Sequence, residues 1–232
     1  MNNKAFKFLA VFAALTIVIS VVSINNIMAS TSYQIDSNMN VIMDKVAEMS
    51  AKQSPEMMSS NPYDYIKDNS NYEKIVALGP DALPIIKDKL DKTAENGLRE
   101  YILAIAAEEI AKVNLKNNTC NWTNGKEWLN EWNKLLRFIP ENVDIITSGT
   151  LDNNAKNAAL SKLGVAAVPY IMDKIAAGET EYTPSLSNLI KDNSVATLSE
   201  TEKAGTTSVG QWVNDNRSKY ENLRNMVEEA RK

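Results

Sequence analysis

The sequence predicts an all-α fold from its composition and from the spacing of its apolar residues. The 232-residue chain contains only seven prolines and eight glycines, the residue types that most disfavour helix interiors. Apolar residues recur about every three to five positions through most of the chain, as on one face of an amphipathic helix. With 44% hydrophobic and 23% charged residues, the composition is typical of a globular protein.

Residues 1–29 have the layout of a secretory signal peptide. Lys4 and Lys7 form a positive start, Phe8–Ile24 is largely apolar, and Ala29 marks a candidate cleavage point. The alternative is an uncleaved membrane anchor, although its apolar run is short of the roughly 20 residues that a spanning helix needs. Either way the prediction is a secreted or cell-surface protein, which touches a membrane only if this segment is retained.

Residues 30–61 are predicted to form a leading helix and a linker. The helix covers Asn38–Lys52, and Ser54–Asn61 is the flexible connection that follows it. Helical spacing places four apolar residues on one side of this helix. They are Met39, Ile42, Val46 and Met49.

The remaining chain contains an internal repeat. Residues 77–90 align with 162–175 at an offset of 85, which pairs Gly79 with Gly164 and Pro84 with Pro169. A glycine at positive φ ends a helix, and a proline is tolerated in the first turn of the next one. Each block therefore predicts a helix, a tight glycine turn and a second helix.

A second block repeats at an offset of 84, pairing Trp128 with Trp212. Each tryptophan follows a predicted capping box, in which one side chain caps the helix and another reaches back three positions later. The boxes are Asn124 with Glu127 and Ser208 with Gln211. Further helices are predicted over Leu98–Val113 and from Ser208 to Ala230, and a loop is predicted over Leu198–Thr207.

The pattern Leu-Gly-x-x-Ala-Φ-Pro-x-Φ, where Φ is apolar, resembles the HEAT repeat of α-solenoid proteins. The whole chain is also similar to uncharacterised secreted HEAT-like proteins of Gram-positive bacteria. The resemblance implies a short, irregular α-solenoid of antiparallel helical hairpins, built from two duplicated modules of about 85 residues at 62–139 and 140–232. Because this period is about twice that of a usual HEAT repeat, each module is expected to hold two hairpins.

The sequence predicts no catalytic residue, cofactor or metal site. It contains no His, which removes Ser-His-Asp hydrolysis and the common zinc motifs, and it has no glycine-rich phosphate loop. The net charge is −4 and there is no basic run, so nucleic-acid binding is not expected. Cys120 is the single cysteine and is interpreted as a small buried hydrophobe. The helical acids Glu100, Glu108 and Glu109 are interpreted as a solvated face.

The tryptophans supply the candidate interaction residues. Trp122 and Trp132 are the candidate surface, because Trp is favoured as an interface anchor and also stacks on sugars. Trp128 and Trp212 are interpreted as core residues because they recur between modules. The predicted function is a non-catalytic scaffold for a protein or peptide partner. The alternatives are a binder of cell-wall glycan or small ligand through the Trp-rich region, and an unrecognised carboxylate-dependent enzyme.

Overall fold

The computed structural model describes residues 28–52, 61–116, 121–190, Val195 and 208–232. Within these ranges the chain is helical and contains no strand, which confirms the all-α prediction. Helix α1 covers residues 28–51. The helices that follow are α2 Ser70–Val76, α3 Ala82–Lys92, α4 Leu98–Ala111, α5 Gly125–Arg137, α6 Ile139–Ser148, α7 Asn153–Lys162, α8 Val168–Ala176, α9 Thr183–Ile190, α10 Val209–Asn216 and α11 Glu221–Ala230.

Several predictions concern segments outside the described residues. These are the signal peptide over 1–29 apart from its last two positions, the connection after α1, Cys120 and the loop over 198–207. Across the part of the chain that is described, no helix combines the length and apolarity required to span a bilayer.

In the first half, α4 is the central helix and packs against α2, α3 and α5, while α3 also contacts α5. Local signals fix where these helices begin. The Asn69 side chain accepts from the backbone N–H groups of Asn71 and Tyr72 at the start of α2. Asn124 accepts from the N–H of Glu127 at 2.9 Å, which confirms the predicted cap of α5.

The second half is arranged around α8, which contacts α9, α10 and α11, while α7 packs on α9. Helix α6 joins the two halves by packing against α5, α7 and α8. Helix α11 returns to the first half and packs against α3 and α5 as well as α8. One continuous core results, extending from Ile35 and Met39 of α1 to Val227 of α11.

The glycine turns have the predicted backbone. Gly79 has a φ of 67° and Gly164 has a φ of 76°, which confirms positive φ at both positions. Pro84 and Pro169 lie in the first turns of α3 and α8, also as predicted. The two glycines differ in surroundings, however, because only Gly164 lies against another element, the end of α4.

Two helix predictions need correction. The leading helix begins at residue 28 rather than Asn38, and the helix predicted over Ser208–Ala230 is interrupted by a 3-10 turn at Arg217–Tyr220. At that break the Asn216 side chain donates to the carbonyl oxygen of Trp212 at 2.8 Å, a local bond that competes with continued helix. The break also brings Arg217 to within 2.8 Å of Asp173 on α8.

Candidate functional site

Trp122 and Trp132 do not lie on the surface. They are 2% and 0% exposed, so the prediction that they form an interaction surface is wrong. Trp132 stacks on Trp128 with ring centroids 5.6 Å apart, on the face of α5 that packs into the core. The interpretation of Trp128 as a core residue is confirmed, and Trp212 is partly buried against the same core.

Trp122 belongs to an aromatic cluster that surrounds the ammonium group of Lys116. The Lys116 Nζ lies 3.9 Å from the Trp122 ring centroid, 5.0 Å from that of Tyr101 and 5.5 Å from that of Tyr63. It also donates a hydrogen bond of 2.6 Å to the Tyr101 hydroxyl. A bond that short, at 5.0 Å from the centroid, places the ammonium at the hydroxyl edge of Tyr101. The closest cation–π contact is made by Trp122, and Tyr63 makes a longer one.

Three separate segments position this cluster. Tyr63 lies in a 3-10 turn whose cap, Asn61, accepts from the Tyr63 backbone N–H. Tyr101 lies in the second turn of α4. Glu108, in the last turn of α4, accepts from the backbone N–H of Leu115 at 2.6 Å and so fixes the segment after α4 that carries Lys116.

A cavity of about 510 Å³ adjoins the cluster, and we call it the Lys116 cavity. Its described lining residues include one cation and no acid. Gly97 and Asn124, the N-caps of α4 and α5, both belong to this lining. The lining consists of Pro62, Asn96, Gly97, Leu98, Tyr101, Lys116, Asn121, Trp122, Thr123 and Asn124.

The groups that contact the Lys116 ammonium are neutral: tyrosine hydroxyls and three aromatic rings. Among the described residues, Lys116 forms no ion pair with a carboxylate. Burial lowers the pKa of Lys116, but the hydrogen bond to Tyr101 and the nearby Tyr63 raise it, and the net direction is upward. Lys116 is therefore protonated at neutral pH.

Two carboxylates lie just behind the cavity lining, and both are already hydrogen-bonded. Glu100 accepts from the Gly97 backbone N–H at 2.8 Å and caps α4. Glu127 accepts from the backbone N–H and the hydroxyl of Thr123, and these bonds hold the pKa of Glu127 below its usual value. Both acids stabilise the helix starts rather than entering the cavity.

Comparisons with protein-family models, with curated proteins and with solved structures found no match.

The helical acids form structural hydrogen bonds. Besides Glu100 and Glu108, Glu109 accepts from the Tyr72 hydroxyl at 2.7 Å. A second cavity, of about 380 Å³, is lined by Asp81, whose pKa is raised by burial, but by no other acid among its described lining residues. The part of the chain that is described also contains no group of three or more Cys, Asp or Glu residues placed to hold a metal ion.

An exposed apolar surface lies on the outer side of α6. Ile139, Val143 and Thr147 form the inner side and are buried. Phe138, the N-cap of α6, and Ile145 are 60% and 66% exposed. They are seven residues apart, which is two helical turns, so they share one face about 10 Å along the axis. We call this pair the α6 face.

Sequence analysis identified Trp122 but missed Tyr101 and Lys116. Tyr101 and Trp122 are 21 positions apart, and Lys116 occupies an irregular segment with no periodic pattern. The one local signal was the predicted cap at Asn124, which locates the start of α5 beside the cavity.

Proposed function

We propose that this chain is an exported, non-catalytic helical-repeat protein that binds a protein or peptide partner. Export is supported by the layout of residues 1–29 in the sequence. A non-catalytic role is supported by the helical acids, because the carboxylates of Glu100, Glu108 and Glu109 each serve a structural hydrogen bond.

The proposed duplication is supported by helix contacts that recur in the two halves. In the first half α2 packs on α4, α3 on α4 and α3 on α5; in the second half α7 packs on α9, α8 on α9 and α8 on α10. These pairs follow the chain order that the 84–85-residue offset predicts. The positive φ at Gly79 and Gly164 adds a shared backbone feature at one equivalent position.

We propose that these modules are HEAT-like and form a short α-solenoid that α11 closes. In a simple linear stack each repeat contacts only its neighbours. The return of α11 to α3 and α5 adds contacts between the last helix and the first module. A closed arrangement of this kind offers its partner the outer helix faces rather than a long open groove.

The observation that carries partner binding is the exposure of Phe138 and Ile145 on the α6 face. Large apolar side chains grouped on a surface favour protein contacts, and aromatic residues are common energetic anchors there. The core does not need this pair, because α6 buries a different set of residues. A glycan binder built on Trp122 and Trp132 lacks this support, since both rings are buried.

Affinity capture from cultures of the producing organism tests this function, with the full chain as bait. The test variant is Phe138→Asp combined with Ile145→Asp. The matched control is Tyr33→Asp combined with Val41→Asp, which places the same two charges at exposed apolar positions on α1. We expect a protein captured by the wild type and the control to fall by tenfold or more with the double variant. Capture that is equal for all three baits would contradict the proposal, and circular dichroism checks that each bait is folded.

A further inference from the structure

We propose that the Lys116 cavity binds a small molecule that carries a carboxylate group, with the carboxylate paired to Lys116 and the apolar body against Pro62, Leu98 and Tyr101. This site is independent of the α6 face. It is formed by other segments of the chain, which are the 3-10 turn at Pro62–Tyr65 and the starts of α4 and α5.

The charge of the cavity favours an anion. The chain as a whole has a net charge of −4, yet the described lining contains Lys116 and no acid. A half-buried ammonium without a carboxylate partner is electrostatically incomplete, because low-dielectric surroundings strengthen its attraction for an opposite charge. An external cation would first have to displace Lys116, whereas an anion can bind with Lys116 in place.

Hydrogen-bond donors converge on the same cavity. Lys116 is hydrogen-bonded to Tyr101 and to Tyr63, so one of its three N–H groups is left for a ligand. The Tyr101 hydroxyl, having accepted from Lys116, keeps its own hydrogen to donate. The caps of α4 and α5 both lie in the lining, so the positive ends of two helices point toward this region. Trp122, which also belongs to this lining, has a buried indole N–H for which the described residues provide no acceptor.

The remaining lining determines the body of the ligand. Pro62, Leu98 and Tyr101 are partly exposed and provide apolar and aromatic surface, and a volume of about 510 Å³ is within the range of small-molecule sites. A single cation matches a singly charged carboxylate better than a doubly charged phosphate. The expected ligand is therefore a carboxylate with a planar or apolar body.

Titration of the full chain with benzoate and its neutral counterpart benzamide tests the charge requirement. The readout is the NMR chemical shift of the Trp122 indole N–H together with binding calorimetry. We expect benzoate to bind at least tenfold more tightly than benzamide. Equal binding of the two probes, or no binding of either, would overturn the proposal, and this comparison needs no variant.

Variants then locate the charge. Lys116→Gln is expected to weaken benzoate binding about tenfold and leave benzamide unchanged, while Lys116→Arg retains benzoate binding. The matched control is Lys74→Gln, which removes the charge of an exposed lysine on α2. Benzoate binding that persists in Lys116→Gln would refute the assignment of Lys116. Inorganic phosphate that binds as tightly as benzoate, with the same dependence on Lys116, would refute the carboxylate class.

Discussion

The turn at Gly164 gives the sharpest test of how the two halves meet. Gly164 has φ 76° and ψ −177°, a region that is essentially restricted to glycine and costs other residues about 1–3 kcal/mol. An added Cβ would also lie less than 3.0 Å from the carbonyl oxygen of Ala111 and from Cγ1 of Val113. Relieving that overlap requires movement at the end of α4 and costs a further 1–3 kcal/mol or so. We therefore expect Gly164→Ala to lower the free energy of unfolding by about 2–6 kcal/mol.

Gly79 provides the matched control, because it occupies the equivalent turn in the first half. Its φ is also positive, at 67°, but no heavy atom lies within 4 Å of an added Cβ. Gly79→Ala should therefore cost only the backbone strain, about 1 kcal/mol. Urea unfolding of the full chain, followed by far-ultraviolet circular dichroism, measures both changes. Equal losses in the two variants would show that the close approach of Gly164 to α4 does not govern stability.

Two further predictions concern polar contacts. Burial and, second, the hydrogen bond to Glu109 raise the pKa of Tyr72 far above its usual value. The stability that the protonated Tyr72 contributes to the fold is therefore complete below about pH 10. As the pH rises further, the free energy of unfolding declines by up to about 1.4 kcal/mol per pH unit. Tyr72→Phe should remove this part of the alkaline loss, as urea midpoints measured from pH 9 to 11 would show, and an unchanged pH dependence would contradict it. Asp173→Asn breaks the half-exposed ion pairs of Asp173 with Arg217 and Arg224, each 2.8 Å long. It should lower the free energy of unfolding by about 1 kcal/mol or less, and the loss should be larger at low salt than at high salt. The equivalent Asp88→Asn breaks one exposed pair and should change stability little; a larger loss at Asp88 would reverse the argument.

The features that could be predicted from sequence are those set within a few residues of the chain. The positive φ of Gly79 and Gly164, the prolines in the first helical turn and the cap at Asn124 all follow from local backbone geometry. The second predicted cap is also present, since Ser208 accepts from the N–H of Gln211 at 3.1 Å. Each of these features depends only on residues within a few positions of one another in the sequence.

The features that were missed depend on residues distant in sequence. Periodicity places Trp132 on one face of α5, but it does not say that α3, α4 and α11 pack against α5. The break before α11 is accompanied by the pairing of Arg217 with Asp173, 44 positions earlier in the chain. Even the predicted capping boxes are only half right. Glu127 accepts from the backbone N–H of Thr123, the residue before its cap, and the Gln211 side chain donates to Asp215.

Under the proposed duplication, a comparison of equivalent positions in the two modules distinguishes residues needed for the fold from residues of the Lys116 cavity. Gly79 and Gly164 share a backbone role, whereas the residues around Lys116 are not repeated. Tyr101 corresponds at the 85-residue offset to Leu186, a fully buried apolar residue, and Trp122 corresponds to a threonine. The second module thus repeats three of the first module's helix contacts without this aromatic cluster, so those contacts do not require the cluster. Changing Lys116 should consequently affect ligand binding more than folding, which is the opposite of what is expected for Gly164.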